Sequence, residues 1–191
     1  MFFKAKENIS PHDFKYVRNP HEFCTDVDQV DLLVMIASAS WQFDRRKIIR
    51  ETWATQTGNG KAGFKVLCEI SYMKTMRLHL NKLWNHRQNL KYLFFIGNDG
   101  KPDNHRKLDQ EFEEYGDIVE EDFQENYYNL TLKTIGQLKW ATHYCPNMKY
   151  GLHIDDDVFG QAKGYSRSNM IRQNLGVVRA PYNESGLIGR S

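Results

Sequence analysis

Short apolar runs alternating with segments of helical periodicity constrain this chain more than any other feature. DLLVMIASAS from Asp31, GFKVLCEI from Gly63, KYLFFIG from Lys91, DIVEEDF from Asp117 and MKYGLHI from Met148 have strand length. Several are apolar at consecutive positions, as strands are when both faces of a sheet are covered. Between them lie helical patterns. In WQFDRRKIIRETW, Asp44 is placed to cap a helix whose apolar face carries Ile48, Ile49, Thr52 and Trp53, with Arg46 and Arg50 one turn apart on a neighbouring face. Met73, Met76, Leu80, Leu83 and Trp84 mark a basic amphipathic helix that reads as core-packing, and HRKLDQEFEEYG a charged one. Leu132, Ile135, Leu138 and Ala141 mark a further helix from Leu130 to about Tyr144, before Pro146. The expected architecture is α/β, a mostly parallel sheet flanked by helices. Ligands of such sheets bind beyond the carboxyl ends of the strands.

The 191 residues suit one domain with a real core. Lys and Arg total 26 against 24 Asp and Glu, a net charge of +2, so no basic footprint favours nucleic acid or an acidic bilayer. No stretch is long and apolar enough to span a membrane, and Lys4, Lys6 and Glu7 interrupt the first ten residues where a signal peptide needs an apolar centre. Residues 1–30 are polar, without sustained period, and read as a stem-like lead-in. Asn8, Asn129 and Asn183 each begin an N-glycosylation triplet, which matters only in the secretory lumen. Cys24, Cys68 and Cys145 have no zinc-ligand spacing, leaving two readings, one bridge plus a free thiol or three buried thiols.

MKYGLHI delivers Asp155, Asp156 and Asp157 to a strand end, and Val158-Phe159 resumes apolar character at once. Three adjacent carboxylates repel unless a cation or proton neutralises them, and a hard divalent ion is the usual remedy. A solvated acidic turn is the alternative, but the apolar flanks pin the acids at the edge of the core. Mg²⁺ or Mn²⁺ held by few carboxylates takes its other ligands from substrate phosphates. The chain has neither a Gly-Lys-Ser/Thr phosphate loop nor a Gly-x-Gly-x-x-Gly fingerprint, which moves weight from kinase and dinucleotide chemistry to glycosyl transfer.

RRKIIRETW, YLFFIG, EYGDIVEEDFQENYYNLTLKT with its trailing WATHYCP, and DDDVF together resemble the β-1,3-glycosyltransferases, the family of β-1,3-galactosyltransferases and their N-acetylglucosaminyl relatives. The resemblance implies a GT-A fold, a UDP-sugar donor (UDP-galactose or UDP-N-acetylglucosamine), Mn²⁺ or Mg²⁺, a glycan acceptor and inversion at the anomeric carbon. It implies that Asp157 and Asp155 ligate the metal, and that Asp155 and Asp156 serve the donor. Arg46 and Arg50 would face the nucleotide or diphosphate, their alternative being surface salt bridges. Lys133 would contact the donor or else support the strand-end acids. Trp53, Phe123 and Trp140 read as core. The family is Golgi-anchored with a lumenal catalytic domain, which favours a Cys24–Cys145 bridge and leaves Cys68 unpaired.

Two departures shape the remaining expectations. Residues 68–93 split what is one strand in the family, reading as an insertion within a nucleotide-sugar-binding part that spans residues 31–159. Residues 160–191 do not align and read as a divergent, flexible tail, so the fold is expected to be incomplete on its C-terminal side. Inverting transfer needs a base for the acceptor hydroxyl. The one acid after Asp157 is Glu184, which reads as a surface residue, so the catalytic base is unassigned. The expectations are an inverting hexosyltransferase, or an inactive UDP- and Mn-binding module, or a truncated product without function.

Overall fold

The computed structural model describes residues 12–52, Ala54, residues 89–157 and the backbone of residues 176–179. These form a mixed α/β structure around a six-stranded sheet in the order β1-β4-β3-β2-β5-β6. The strands are β1 (Tyr16–Arg18), β2 (Val30–Ala37), β3 (Leu90–Asn98), β4 (Ile118–Gln124), β5 (Met148–Asp155) and β6 (Gly176–Arg179). β4, β3, β2 and β5 run parallel, while β1 and β6 pair antiparallel with β4 and β5. The helices are α1 (Phe43–Glu51), α2 (Pro102–Tyr115) and α3 (Leu130–Tyr144), with a 3-10 turn at Tyr127–Asn129.

The two-residue period of a strand divides the core. Leu32, Val34 and Ile36 of β2 pack with Ile49 of α1 and Leu108 of α2 on one face. Leu33 and Met35 pack on the other with Trp140 and Ala141 of α3. Covering both faces is what an uninterrupted apolar run requires. α2 stops at Gly116, whose φ of 63° is the left-handed conformation that ends helices cheaply in glycine. α3 approaches β4 closely because Gly136 has no side chain, since a Cβ there would lie 2.3 Å from Glu121 Oε2.

Cys24 and Cys145 form a disulfide, with Cα atoms 5.3 Å apart, tying the segment after β1 to the end of α3. Phe123 and Trp140 are core residues. Trp140 meets Phe95 edge-on at 6.0 Å and donates its Nε1–H to Asn19 Oδ1 at 2.8 Å.

Several elements differ from the sequence-based expectation. The ordered fold starts within the expected lead-in, because β1 adds to the sheet edge and Arg18 is buried in ion pairs with Glu120 and Asp109. A three-residue strand carries too little period to be read from sequence. α1 begins after Gln42 without a side-chain cap, leaving Asp44 in the first turn, where a negative charge still suits the helix dipole. Its buried face is Arg46, Ile49 and Arg50, and Ile48 is half exposed. α2 starts at Pro102, one turn earlier than the charged pattern suggested, because proline is well tolerated in a first helical turn. Within the expected tail, Gly176–Arg179 extends the sheet beside β5. The amphipathic pattern at Met73 to Trp84, Cys68, Trp53, Asn8, Asn183 and Glu184 lie outside the described residues.

Candidate functional site at the carboxyl edge of the sheet

The strand order reverses between β2 and β5. From β2 the chain steps outward through β3 to β4 and then returns to the far side of β2, with Ala37 opposite Asp155. Crevices at such reversals, beyond the carboxyl ends, are where open α/β sheets hold ligands. The residues delivered there are Ser38 from β2 and the three aspartates from β5.

Asp155 is exposed, Asp156 is buried and Asp157 is intermediate. Asp156 extends the ladder by donating its N–H to the Ala37 carbonyl at 3.0 Å. Its carboxylate accepts from Ser38 Oγ and from Arg45 Nη1, each at 2.8 Å. Although Asp155 reaches solvent, the protein around its carboxyl strips part of its hydration and raises it above the usual range. His153 and Lys133 oppose the rise, and the neighbouring Asp157 and Asp156 charges add to it. His153, behind the edge on β5, donates its Nδ1–H to Gln137 Oε1 of α3 at 2.5 Å, and burial lowers its imidazole. Among the described residues, no group of three His, Cys, Asp or Glu side chains is arranged to hold a metal by itself.

Lys133 from α3 is buried beneath this edge. Its Nζ donates to the Ser38 carbonyl at 2.6 Å and to Glu125 at 2.8 and 2.9 Å. Burial lowers its ammonium, against the pull of Glu125, Asp156 and Asp155. Lys133 thus meets Ser38 and Glu125 directly, one residue removed from the strand-end acids.

Arg46 and Arg50 point into the core. Arg46 is fully buried and binds Glu111 through two nitrogens at 2.9 and 2.7 Å, with further bonds to Ser38 Oγ and to the carbonyls of Ala39 and Ser40. Arg50 binds Asp117 at 2.8 and 2.7 Å and Glu111 at 2.7 Å. Their guanidinium groups are therefore committed to buried carboxylates inside the protein, and the salt bridges expected at the surface lie in the core instead. The arginine at the aspartates is Arg45, which the sequence reading passed over. Its signal was the helix period itself, because Arg45 falls 100° from Arg46 and so cannot share its face.

The Arg46–Glu111–Arg50–Asp117 cluster makes stability depend on pH. Burial alone would raise the Glu111 carboxyl, but bonds and charge from Arg46 and then Arg50 outweigh it and leave it below the usual range. The unfolded chain thus takes up this proton at a higher pH than the folded one. The stabilisation is complete above about pH 4.3, the ordinary glutamate value, and is lost as pH falls through the lower folded value. Urea midpoints measured across pH 6 to 3 should fall below that point, and a Glu111→Gln chain should show a shallower fall.

Other groups at this edge were not singled out as ligand-binding from the sequence. Trp41, after β2, is 48% exposed with Lys101 Nζ 5.9 Å from its ring. Tyr127 and Tyr128, after β4, are 81% and 91% exposed. Asn129 sits in the same turn, where its Nδ2 donates to the Gln124 carbonyl at 2.8 Å.

Comparison with known proteins agrees with this architecture. The galactosyltransferase family model matches residues 44–174, more than half of the chain. Human lactosylceramide 1,3-N-acetyl-beta-D-glucosaminyltransferase is 34% identical over 149 residues, covering 76% of this chain and 33% of the relative. Human UDP-GalNAc:beta-1,3-N-acetylgalactosaminyltransferase 1 is 30% identical over 164 residues, covering 83% and 41%. Human beta-1,3-galactosyltransferase 1 is 29% identical over 151 residues, covering 79% and 38%. The chain therefore spans well under half the length of these relatives. A matched family model, a mostly parallel sheet with helices on both faces and an acidic strand end at its reversal point together establish that the chain belongs to the galactosyltransferase family.

Proposed function

We propose that this chain forms the donor-binding part of a β-1,3-glycosyltransferase, which holds a UDP-sugar and a divalent ion and passes galactose or N-acetylglucosamine to a glycan acceptor with inversion. The observation that carries the reading is Asp155 and Asp157 flanking a fixed Asp156 beside Ser38 at the reversal of strand order. An ion such as Mn²⁺ or Mg²⁺ fits these donors. Asp155 and Asp157 offer hard oxygen ligands at the sheet edge, and ions of this kind take their other ligands from substrate phosphates. When bound, the ion would neutralise charge on the diphosphate leaving group.

The chain's own part is to orient the carboxylates through Ser38, Arg45 and Lys133. A Golgi-lumenal setting, with the anchoring seen in the family resemblance, belongs to the same proposal. It is supported by the Cys24–Cys145 disulfide, because such bonds persist in oxidising compartments. The second reading, a module that binds UDP and Mn²⁺ without turnover, has the same donor site.

Calorimetric titration of UDP into the whole chain, with and without Mn²⁺, tests both. Metal-dependent binding is expected, reduced at least about tenfold by Asp157→Ala. A folded chain that takes up no UDP in either condition would sink the donor-site reading. Turnover of UDP-galactose or UDP-N-acetylglucosamine then separates the enzyme from the inactive module.

A further inference from the structure

We infer that Asp156 is a positioning residue instead of an ion ligand, and that Ser38, braced by the buried Arg46–Glu111 pair, sets the direction in which Asp155 and Asp157 face. The inference rests on the donor-site reading and assigns separate work to the three acids.

Its basis is the convergence of three helices on Ser38. From α1, Arg46 Nη1 donates to Ser38 Oγ at 3.1 Å. From α2, Glu111 fixes Arg46 through two bonds. From α3, Lys133 Nζ donates to the Ser38 carbonyl. Ser38 Oγ in turn donates to Asp156 Oδ2, while Arg45 occupies Oδ1. A hydroxyl has one proton and two lone pairs, so serine can accept from Arg46 and donate to Asp156 at once. Alanine can do neither.

Both Asp156 oxygens thus have protein donors, and its backbone N–H is bonded to Ala37. This anchors the middle acid of the three in place. A turn held at its centre presents its flanking residues in one fixed arrangement, and ion affinity depends on that orientation. Ser38 is 3% exposed and Arg46 is fully buried, so water does not substitute readily for either bond.

The test uses the whole chain in five forms: wild type, Ser38→Ala, Ser38→Thr, Asp156→Asn and Asp157→Ala. Mn²⁺ is titrated calorimetrically at saturating UDP, UDP is titrated without metal, and hydrogen exchange at the Asp156 amide is followed in metal-free protein. Ser38→Ala is expected to weaken Mn²⁺ binding about ten- to a hundredfold. It should also speed exchange at Asp156, while leaving the metal-free UDP affinity within about twofold. Ser38→Thr, which keeps the hydroxyl, should restore Mn²⁺ affinity. Asp156→Asn keeps the shape and can keep its oxygen toward Ser38, but turns its amide N–H toward Arg45 and loses that ion pair. It should therefore weaken Mn²⁺ binding by less than Ser38→Ala, and it keeps the test decisive should Ser38→Ala not fold.

A loss at Asp156→Asn as large as at Asp157→Ala would make Asp156 a ligand and overturn the inference. So would a folded Ser38→Ala chain with wild-type affinity and exchange. If wild type binds neither UDP nor Mn²⁺, the donor-site reading itself fails and this inference falls with it.

Discussion

Replacing Glu111 with leucine is expected to lower the unfolding free energy by about 3–5 kcal/mol, among the largest losses any single side chain here can produce. Arg46 is fully buried, and Glu111 is its carboxylate partner. Without Glu111, the guanidinium keeps only Ser38 Oγ and the carbonyls of Ala39 and Ser40. These neutral acceptors leave a full positive charge in a low-dielectric site. Arg50 suffers less, because it keeps both bonds to Asp117. The asymmetry gives a control. Asp117→Asn leaves Arg50 with Glu111 and should cost less than Glu111→Leu. The double change Glu111→Leu with Arg46→Met removes both charges and should recover much of the loss, because a well-packed apolar pair often equals a buried ion pair. Guanidinium unfolding of wild type, Glu111→Leu, Arg46→Met and the double variant as a double-mutant cycle measures the coupling. Purely additive losses would show that the pair does not act as a unit.

Reduction of the Cys24–Cys145 disulfide, or its replacement by two alanines, is the second large effect. The bond joins residues separated by 121 positions, and a loop of that size corresponds to about 5 kcal/mol in the chain-entropy account. Total stability of a domain is roughly 5–15 kcal/mol, so the reduced chain should be marginal. Guanidinium midpoints with and without dithiothreitol measure this directly. Both sulfurs are buried, at 1% and 0% residue exposure, so reduction should be slow until the fold opens. Equal midpoints in the two conditions would place the loop's restraint in other contacts. Asn147 is the first to consider, since its Nδ2 donates to the carbonyls of Cys24 and Val27.

The central parallel strands and their helices were legible because each carries a periodic pattern. β2 and β3 are apolar at successive positions, and α3 keeps an apolar series to the proline that stops it. The edge strands β1 and β6 were not legible, since they have three and four residues and form only where a neighbour supplies hydrogen bonds. The charged interior of α1 was also hidden. Arg46 and Arg50 have the i, i+4 spacing of a surface pair, and their burial depends on Glu111 and Asp117, more than sixty residues away.

The candidate site divides along the same line. Sequence alone determined that three carboxylates end an apolar strand, because local pattern fixes strand, alternation and position, and that their neighbours resemble one family. Tertiary structure alone decided which strand lies beside them, that β2 brings Ser38 within 2.8 Å of Asp156, and that Arg45 instead of Arg46 meets the acids. Strand order and helix rotation are set by packing summed over the whole sheet. A hydrogen bond between residues 118 positions apart leaves no trace in the local pattern of either one.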